Sequence, residues 1–193
     1  MIEIRLHGRG GQGGVVACKI LAAALYRDGK YAQAFPAFGV ERRGAPVQAF
    51  IRIDDKPVRL RCQIEQPDHL IVLDPTLLLS TPMTKGLKKG GIILLNSEQP
   101  AEALKVAGEF HVITVDANAI AVKHRLGTKS IPIVNTAILG AFARTSDIVS
   151  LTALLEAVRE SVPSRQDENV AATQEAYDAT RQLESISSEV GQP

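Results

Sequence analysis

Tryptophan is absent from the 193 residues, and tyrosine and phenylalanine number only three and five. So sparse an aromatic complement excludes a stacking platform for single-stranded nucleic acid. Only two cysteines occur, Cys18 and Cys62, far apart and in no C-x-x-C pair. Iron–sulfur clusters need four thiolates at fixed spacings and structural zinc sites need comparable clustering, so neither is expected on this chain. Charge of one sign is also missing: 22 Lys and Arg face 21 Asp and Glu. A net charge of +1 rules out bulk electrostatic binding to nucleic acid or an anionic membrane. No apolar run approaches the length that spans a bilayer, and the N-terminus begins as a strand rather than as a charged leader with an apolar core, which predicts a cytoplasmic protein.

Catalytic constellations are thin as well. His7, His69, His111 and His124 show no metal-ligand spacing and read as polar surface or strand-end residues. No serine lies in a G-x-S-x-G setting. Asp74 and Asp116 follow apolar runs, where an Asp caps the next helix as readily as it serves a site.

What is present is glycine, placed with purpose. Gly8-Arg9-Gly10-Gly11-Gln12-Gly13-Gly14 follows the strand-like run Ile2 to His7 and opens into an apolar helix from Val15 to Tyr26 that stops at Gly29. Gly8, Gly10 and Gly13 match G-x-G-x-x-G in the strand–turn–helix setting that pattern requires. Backbone without Cβ atoms can approach a phosphate while the amides at a helix start point at it. The same glycines also suit a sharp turn under tight helix–sheet packing, or a protein-contact loop. Against a nicotinamide site, no acidic residue occurs from Gly29 to Phe38 to hold the ribose, and the first strand alternates Ile2, Ile4, Leu6 with Glu3, Arg5, His7. Such a strand is half exposed or covered by something polar.

Further along, Lys30 to Phe38 reads as extended and broken at Pro36. Two alternating segments, residues 47–53 and 58–62 around the turn-like Asp54-Asp55-Lys56-Pro57, predict an antiparallel hairpin with Arg52, Arg59 and Arg61 on one face. Continuous apolar runs at Leu70–Leu73 and Ile92–Leu95, with Phe110–Val115 after them, read as buried parallel strands. Short helices are expected at 82–89 and 100–107, and longer ones at 117–126, 134–144, 151–162 (capped near Ser150 or Thr152) and 164–186. Alternation of strand and helix predicts an α/β class: an open, doubly wound, mostly parallel sheet with an inserted antiparallel hairpin and C-terminal helices. One domain over 1–186 and a frayed tail over 187–193 are expected.

A second motif, Phe35-Pro36-Ala37-Phe38-Gly39-Val40-Glu41-Arg42-Arg43-Gly44-Ala45-Pro46, sets two arginines and a glutamate between glycines. Guanidinium forks suit phosphate or carboxylate recognition, and Glu41 paired with an arginine would equally order the loop.

These motifs, with Tyr31 to Pro36, Leu73-Asp74-Pro75-Thr76-Leu77 and Asn135-Thr136-Ala137-Ile138-Leu139-Gly140-Ala141, resemble the gamma subunits of 2-oxoacid:ferredoxin oxidoreductases, of the pyruvate synthase type. Val40 departs from the proline expected there. The resemblance implies a hetero-oligomer that oxidatively decarboxylates a 2-oxoacid, most simply pyruvate to acetyl-CoA and CO2, and passes electrons to ferredoxin. It implies alpha, beta and delta-type partner subunits that carry thiamine diphosphate with Mg and iron–sulfur (4Fe-4S) clusters, while this chain binds no cofactor alone. A non-catalytic scaffold is implied here, with Gly8, Arg9, Gly10, Gly11, Gln12, Gly13, Glu41, Arg42, Arg43 and Gly44 helping shape the coenzyme A entrance. A phenylglyoxylate or 2-oxoisovalerate oxidoreductase is the alternative within the class. A free-standing nucleotide-binding or regulatory protein is the alternative outside it.

Overall fold

The computed structural model describes residues 1–37, 44–104 and 106–180. Its centre is a six-stranded sheet in the order β2-β3-β1-β4-β5-β6, with β1 at Ile2–Arg9, β2 at Tyr31–Pro36, β3 at Pro46–Asp54, β4 at His69–Val72, β5 at Ile92–Asn96 and β6 at His111–Val115. Strands β1, β4, β5 and β6 run parallel, and β3 pairs antiparallel with both β1 and β2. The α/β class with a mostly parallel sheet and an antiparallel hairpin is therefore present.

The apolar runs explain why β4 and β5 are central: each side chain, up or down, finds a core. Ile71, Leu73, Ile92 and Leu94 join the layer formed with helix α1 (Gly14–Arg27), whereas Leu70, Val72, Ile93 and Leu95 join Leu77, Met83 and Leu87 on the opposite face. Strands buried on both faces need this continuous hydrophobicity. Helix α2 (Leu77–Ser80) and a single 3-10 turn at Ala101–Leu104 lie in the crossovers. Helices α3 (Ala117–Lys123), α4 (Ala137–Ser146), α5 (Leu151–Ser161) and α6 (Gln166–Ala179) follow, with a small hairpin of β7 (Gly127–Thr128) and β8 (Ile131–Pro132) between α3 and α4. Helix α1, apolar nearly all round, is covered by the sheet and by α5; Cys18 is 1% exposed there, and burial pushes its thiol pKa up, so it stays protonated.

Several boundaries differ from the sequence expectations. The hairpin partner of β3 is β2, not residues 58–62, which join no ladder among the described residues. Arg52 consequently is not on a solvated face: it is 3% exposed, pairs with Glu3 at 2.7 Å and donates to the carbonyls of Leu60 and Cys62. Arg59 and Arg61 are exposed as expected. Residues 82–89 form turns rather than a helix, and the expected helix at 100–107 is reduced to the 3-10 turn. Helix α6 ends at Ala179; its expected continuation from 181 to 186, with the tail at 187–193, lies outside the described residues, as does Glu41-Arg42-Arg43.

Of the two cap candidates, Ser150 and Thr152, Ser150 is the cap. Its hydroxyl accepts from the Ala153 amide and donates to Asp28, joining the start of α5 to the end of α1. Ser150→Ala is expected to lower the unfolding free energy by about 1 kcal/mol, read from denaturant midpoints at unchanged slope.

Candidate functional site at the carboxyl edge of the sheet

Four chain segments meet where the parallel strands end. β1 delivers the glycine loop, β4 delivers Asp74 and Thr76, β5 ends at Asn96, and β6 leads to Asp116 and Asn118. This edge is where open α/β sheets receive ligands. An open cleft of about 800 Å³ lies along it, lined by Thr76, Leu78, Leu79, Asn96, Asn118 and Val122 among others.

Three glycines of the loop have a physical task. A Cβ on Gly14 would meet Leu6 at 2.7 Å, so its absence permits the start of α1 to sit close on β1, whereas one on Gly8 would come 3.1 Å from Leu73 and 3.2 Å from Gln12 Oε1. Gly13 does more: at φ +77 it takes the left-handed conformation that begins α1, and an added Cβ would lie 2.7 Å from the Asn135 amide nitrogen. The Asn135 Oδ1 is buried with no partner among the described residues. No side chain among the described residues caps α1. The amides of Gly11, Gly13, Gly14, Val15 and Val16 find no acceptor among the described residues, the first bond into the helix being Ala17 N–H to the Gly13 carbonyl at 2.9 Å. Uncapped amides at a helix start, carrying the positive end of its dipole, form an anion-accepting surface.

Arg9 points elsewhere than the sequence suggests. Its Nε donates to Asp74 at 2.8 Å, its Nη1 to the Gly44 carbonyl and its Nη2 to the Thr76 hydroxyl. The guanidinium is thus a clamp that ties three loops together. Asp74 is held below the usual carboxylate range: burial opposes its charge, but the hydroxyl and amide of Thr76 and the Arg9 guanidinium outweigh that. Gln12 folds its side chain back onto the Arg9 amide at 2.7 Å. Gly10 N–H donates to Ala45 and Gly44 N–H donates to Gly10, so the glycine loop and the Gly44 end of the arginine motif lie side by side. Glu41, Arg42 and Arg43, within that motif, fall outside the described residues.

The sequence reading gave Asp116 a cap's role as one option, and its carboxylate does accept from Ala119 N–H at 2.8 Å. It missed Asn96, which is 3% exposed and donates to the Leu73 carbonyl and to Asn118 Oδ1. An asparagine at the end of an apolar run was the available signal. Among the described residues no group of three His, Cys, Asp or Glu side chains is placed to hold a metal ion, and no helix is long and apolar enough to cross a membrane.

The model of the pyruvate ferredoxin/flavodoxin oxidoreductase family matches residues 3–179. The chain is 50% identical over 186 residues to the common subunit gamma of pyruvate/ketoisovalerate oxidoreductases from Thermococcus kodakarensis, covering 93% of this chain and 97% of that one. It is 48% identical over 184 residues to the pyruvate synthase subunit PorC of Methanothermobacter thermautotrophicus, covering 95% and 98%. A crystal structure of the pyruvate oxidoreductase subunit PORC from Thermotoga maritima superimposes with a TM-score of 0.79 at 36% identity, over 93% of this chain and 97% of that one.

Proposed function

Since this chain belongs to the pyruvate ferredoxin/flavodoxin oxidoreductase family, as a gamma subunit of a 2-oxoacid:ferredoxin oxidoreductase, we propose that it contributes to that enzyme without reaction chemistry of its own. It is a scaffold that packs against the companion alpha, beta and delta-type subunits and presents the carboxyl edge of its sheet to coenzyme A. Thiamine diphosphate with Mg, and the 4Fe-4S clusters that lead to ferredoxin, belong to those companions, and pyruvate is the substrate of the assembled enzyme.

The observation that supports this reading is the set of amides at Gly11, Gly13, Gly14, Val15 and Val16, beside Gly44, that find no acceptor among the described residues. Gly8, Gly10, Gly11, Gln12 and Gly13 shape that set and Arg9 positions it, while Glu41, Arg42 and Arg43, whose part rests on the sequence motif alone, and Gly44 are assigned to the same coenzyme A phosphates. Phosphate groups of coenzyme A match the set in charge and acceptor number. In the assembled complex, Arg42→Ala with Arg43→Ala is expected to raise the KM for coenzyme A about tenfold with little change in kcat, the loss of one charge-assisted contact. Normal coenzyme A affinity together with normal assembly overturns the reading.

A second substrate, 2-oxoisovalerate, is favoured by one observation: the Thermococcus kodakarensis relative is named as common to pyruvate and ketoisovalerate oxidoreductases. A gamma chain shared by two enzymes does not select the 2-oxoacid, so the acid-binding pocket belongs to the companions. Exchange of this chain between complexes should therefore leave the ratio of activities on pyruvate and 2-oxoisovalerate unchanged.

A further inference from the structure

On the face of β1 turned away from α1, Arg5 and His7 stand beside Phe50 and Gln48 of β3 and Leu70 and Val72 of β4. Both are buried, at 8% and 2% exposure. The Arg5 guanidinium donates from Nε to His7 Nε2 at 3.0 Å, from Nη1 to the Ile64 carbonyl, and from Nη2 to the carbonyls of Met83 and Lys85. Every one of these acceptors is neutral. Arg52 and Arg9, by contrast, each hold a carboxylate, whereas no carboxylate pairs with Arg5 among the described residues. A guanidinium has five N–H donors. Four are placed, and one Nη1–H has no acceptor among the described residues.

His7 adds a second open donor. Its Nε2 accepts from Arg5, which puts the ring proton on Nδ1. Burial, with the Arg5 charge beside it, pushes the pKa down to about 3, so the ring is neutral at physiological pH. No described residue accepts from Nδ1.

Both side chains line a cleft of about 530 Å³, together with Gln48, Gln63, Thr81 and Lys85 and one opposing charge, Glu65. Its roof is rigidly made. Gly86, at φ +80, brings its backbone so close to the Glu65 carbonyl that a Cβ would lie 2.0 Å away, interlocking the two covering segments. One further cation, Lys85, one anion, Glu65, and several neutral polar groups surround a buried guanidinium that no carboxylate pairs with among the described residues, a setting that favours a negative charge.

We propose that the cleft over β1 is a site for a small oxyanion, a carboxylate or a phosphate group, received by Arg5 and His7 and attracted by Lys85. It lies over the open face of the sheet under residues 63–66 and 81–86, and is distinct from the carboxyl-edge site proposed for coenzyme A.

The test uses the full-length chain with labelled histidine, titrated separately with inorganic phosphate and with acetate while the His7 ring resonances are followed by long-range ¹H–¹⁵N spectra. A saturable shift is expected with at least one of them; response to phosphate alone assigns a phosphate group, and response to acetate assigns a carboxylate. Glu65→Gln should tighten and Lys85→Met weaken the apparent affinity, each by about threefold or more, as a charge at a partly exposed site does. Both positions lie on covering loops, and neither substitution removes a core residue. Absence of a saturable shift at concentrations that fill a millimolar site overturns the proposal, leaving Arg5 as a strut for the covering loops. A shift untouched by both substitutions also overturns it, as does one lost only on Arg42→Ala with Arg43→Ala, since the anion would then sit at the carboxyl edge. The KM for coenzyme A in the Lys85→Met complex is expected to be normal, so failure here leaves the coenzyme A reading standing.

Discussion

Gly140→Ala is expected to lower the unfolding free energy by about 3 kcal/mol and the Tm by roughly 6–12 °C, as overpacking against rigid backbone does in a chain of this size. Helices α4 and α6 cross at this residue, and a Cβ there would come within 1.9 Å of the Thr173 carbonyl oxygen and 3.2 Å of the Tyr177 amide. Neither is a side-chain tip that could swing aside. The crossing also closes a buried polar set: Thr136 Oγ1 donates to Asn169 Oδ1 at 2.8 Å, and Thr173 Oγ1 donates to the Asn169 and Thr136 carbonyls. Thr136 and Thr173 are fully buried and Asn169 nearly so. Separating the helices to admit a methyl group would strain these bonds where water cannot replace them, and that is why the expected cost lies at the upper end for an added methyl. Chemical and thermal denaturation of the variant would decide it; a loss below about 0.5 kcal/mol would mean the helices slide apart freely.

That crossing shows which parts of the sequence could be interpreted and which could not. The segment Asn135 to Ala141 is legible as a helix start within a family motif, but its purpose is packing: Asn135 lies under Gly13, and Gly140 admits α6. Strands β4 and β5 are legible because a run buried on both faces leaves no other reading for four consecutive large aliphatics bounded by Asp, Asn and Gly. The hairpin fails for a specific reason. Residues 58–62 alternate as a strand should, yet β3 already has β1 on one side, and β2 on the other is joined to it through the segment from Ala37 to Ala45. Alternation in sequence states which residues can share a face; it does not state which ladder has an edge to offer.

The polar face of β1 marks the same limit from the other direction. Glu3, Arg5 and His7 suggest water or a polar cover, and the cover over Arg5 consists of backbone carbonyls from loops about 60 to 80 residues away in the chain. Carbonyl acceptors carry no sequence signature, so no pattern of side chains could have disclosed them. Arg9 is the instructive case at the candidate site. An arginine among glycines is chemically suited to a phosphate, and the same fork suits Asp74, Gly44 and Thr76, which the fold places closer. The motif was visible, and the competition among its possible partners was not.

The neutral imidazole of His7 makes stability depend on pH in a window where few other groups act. Its folded-state pKa is about 3, against an ordinary value of 6.5, so as pH falls through 6.5 the unfolded chain takes up a proton that the folded chain refuses. Stability must therefore decline on acidification, by about 2 kcal/mol between pH 7 and pH 5, with the full slope reached below the ordinary value. His69, lowered chiefly by burial, with Asp68 opposing and Lys88 reinforcing that direction, acts with the same sign. The lowered carboxyls of Asp74 and Glu175 do not contribute in this window, because their stabilisation is present above the ordinary carboxylate range and is lost only as pH falls below it. His7→Gln separates the terms: the amide oxygen can still accept from Arg5 Nε, while the titration is removed. Denaturant unfolding of both proteins at pH 7 and pH 5 should show the wild type losing about 2 kcal/mol more than the variant, which retains only the His69 dependence. Parallel losses in the two proteins would mean that the His7 ring reaches solvent and protonates in the folded state, and its place in the buried floor of the β1 cleft would be wrong.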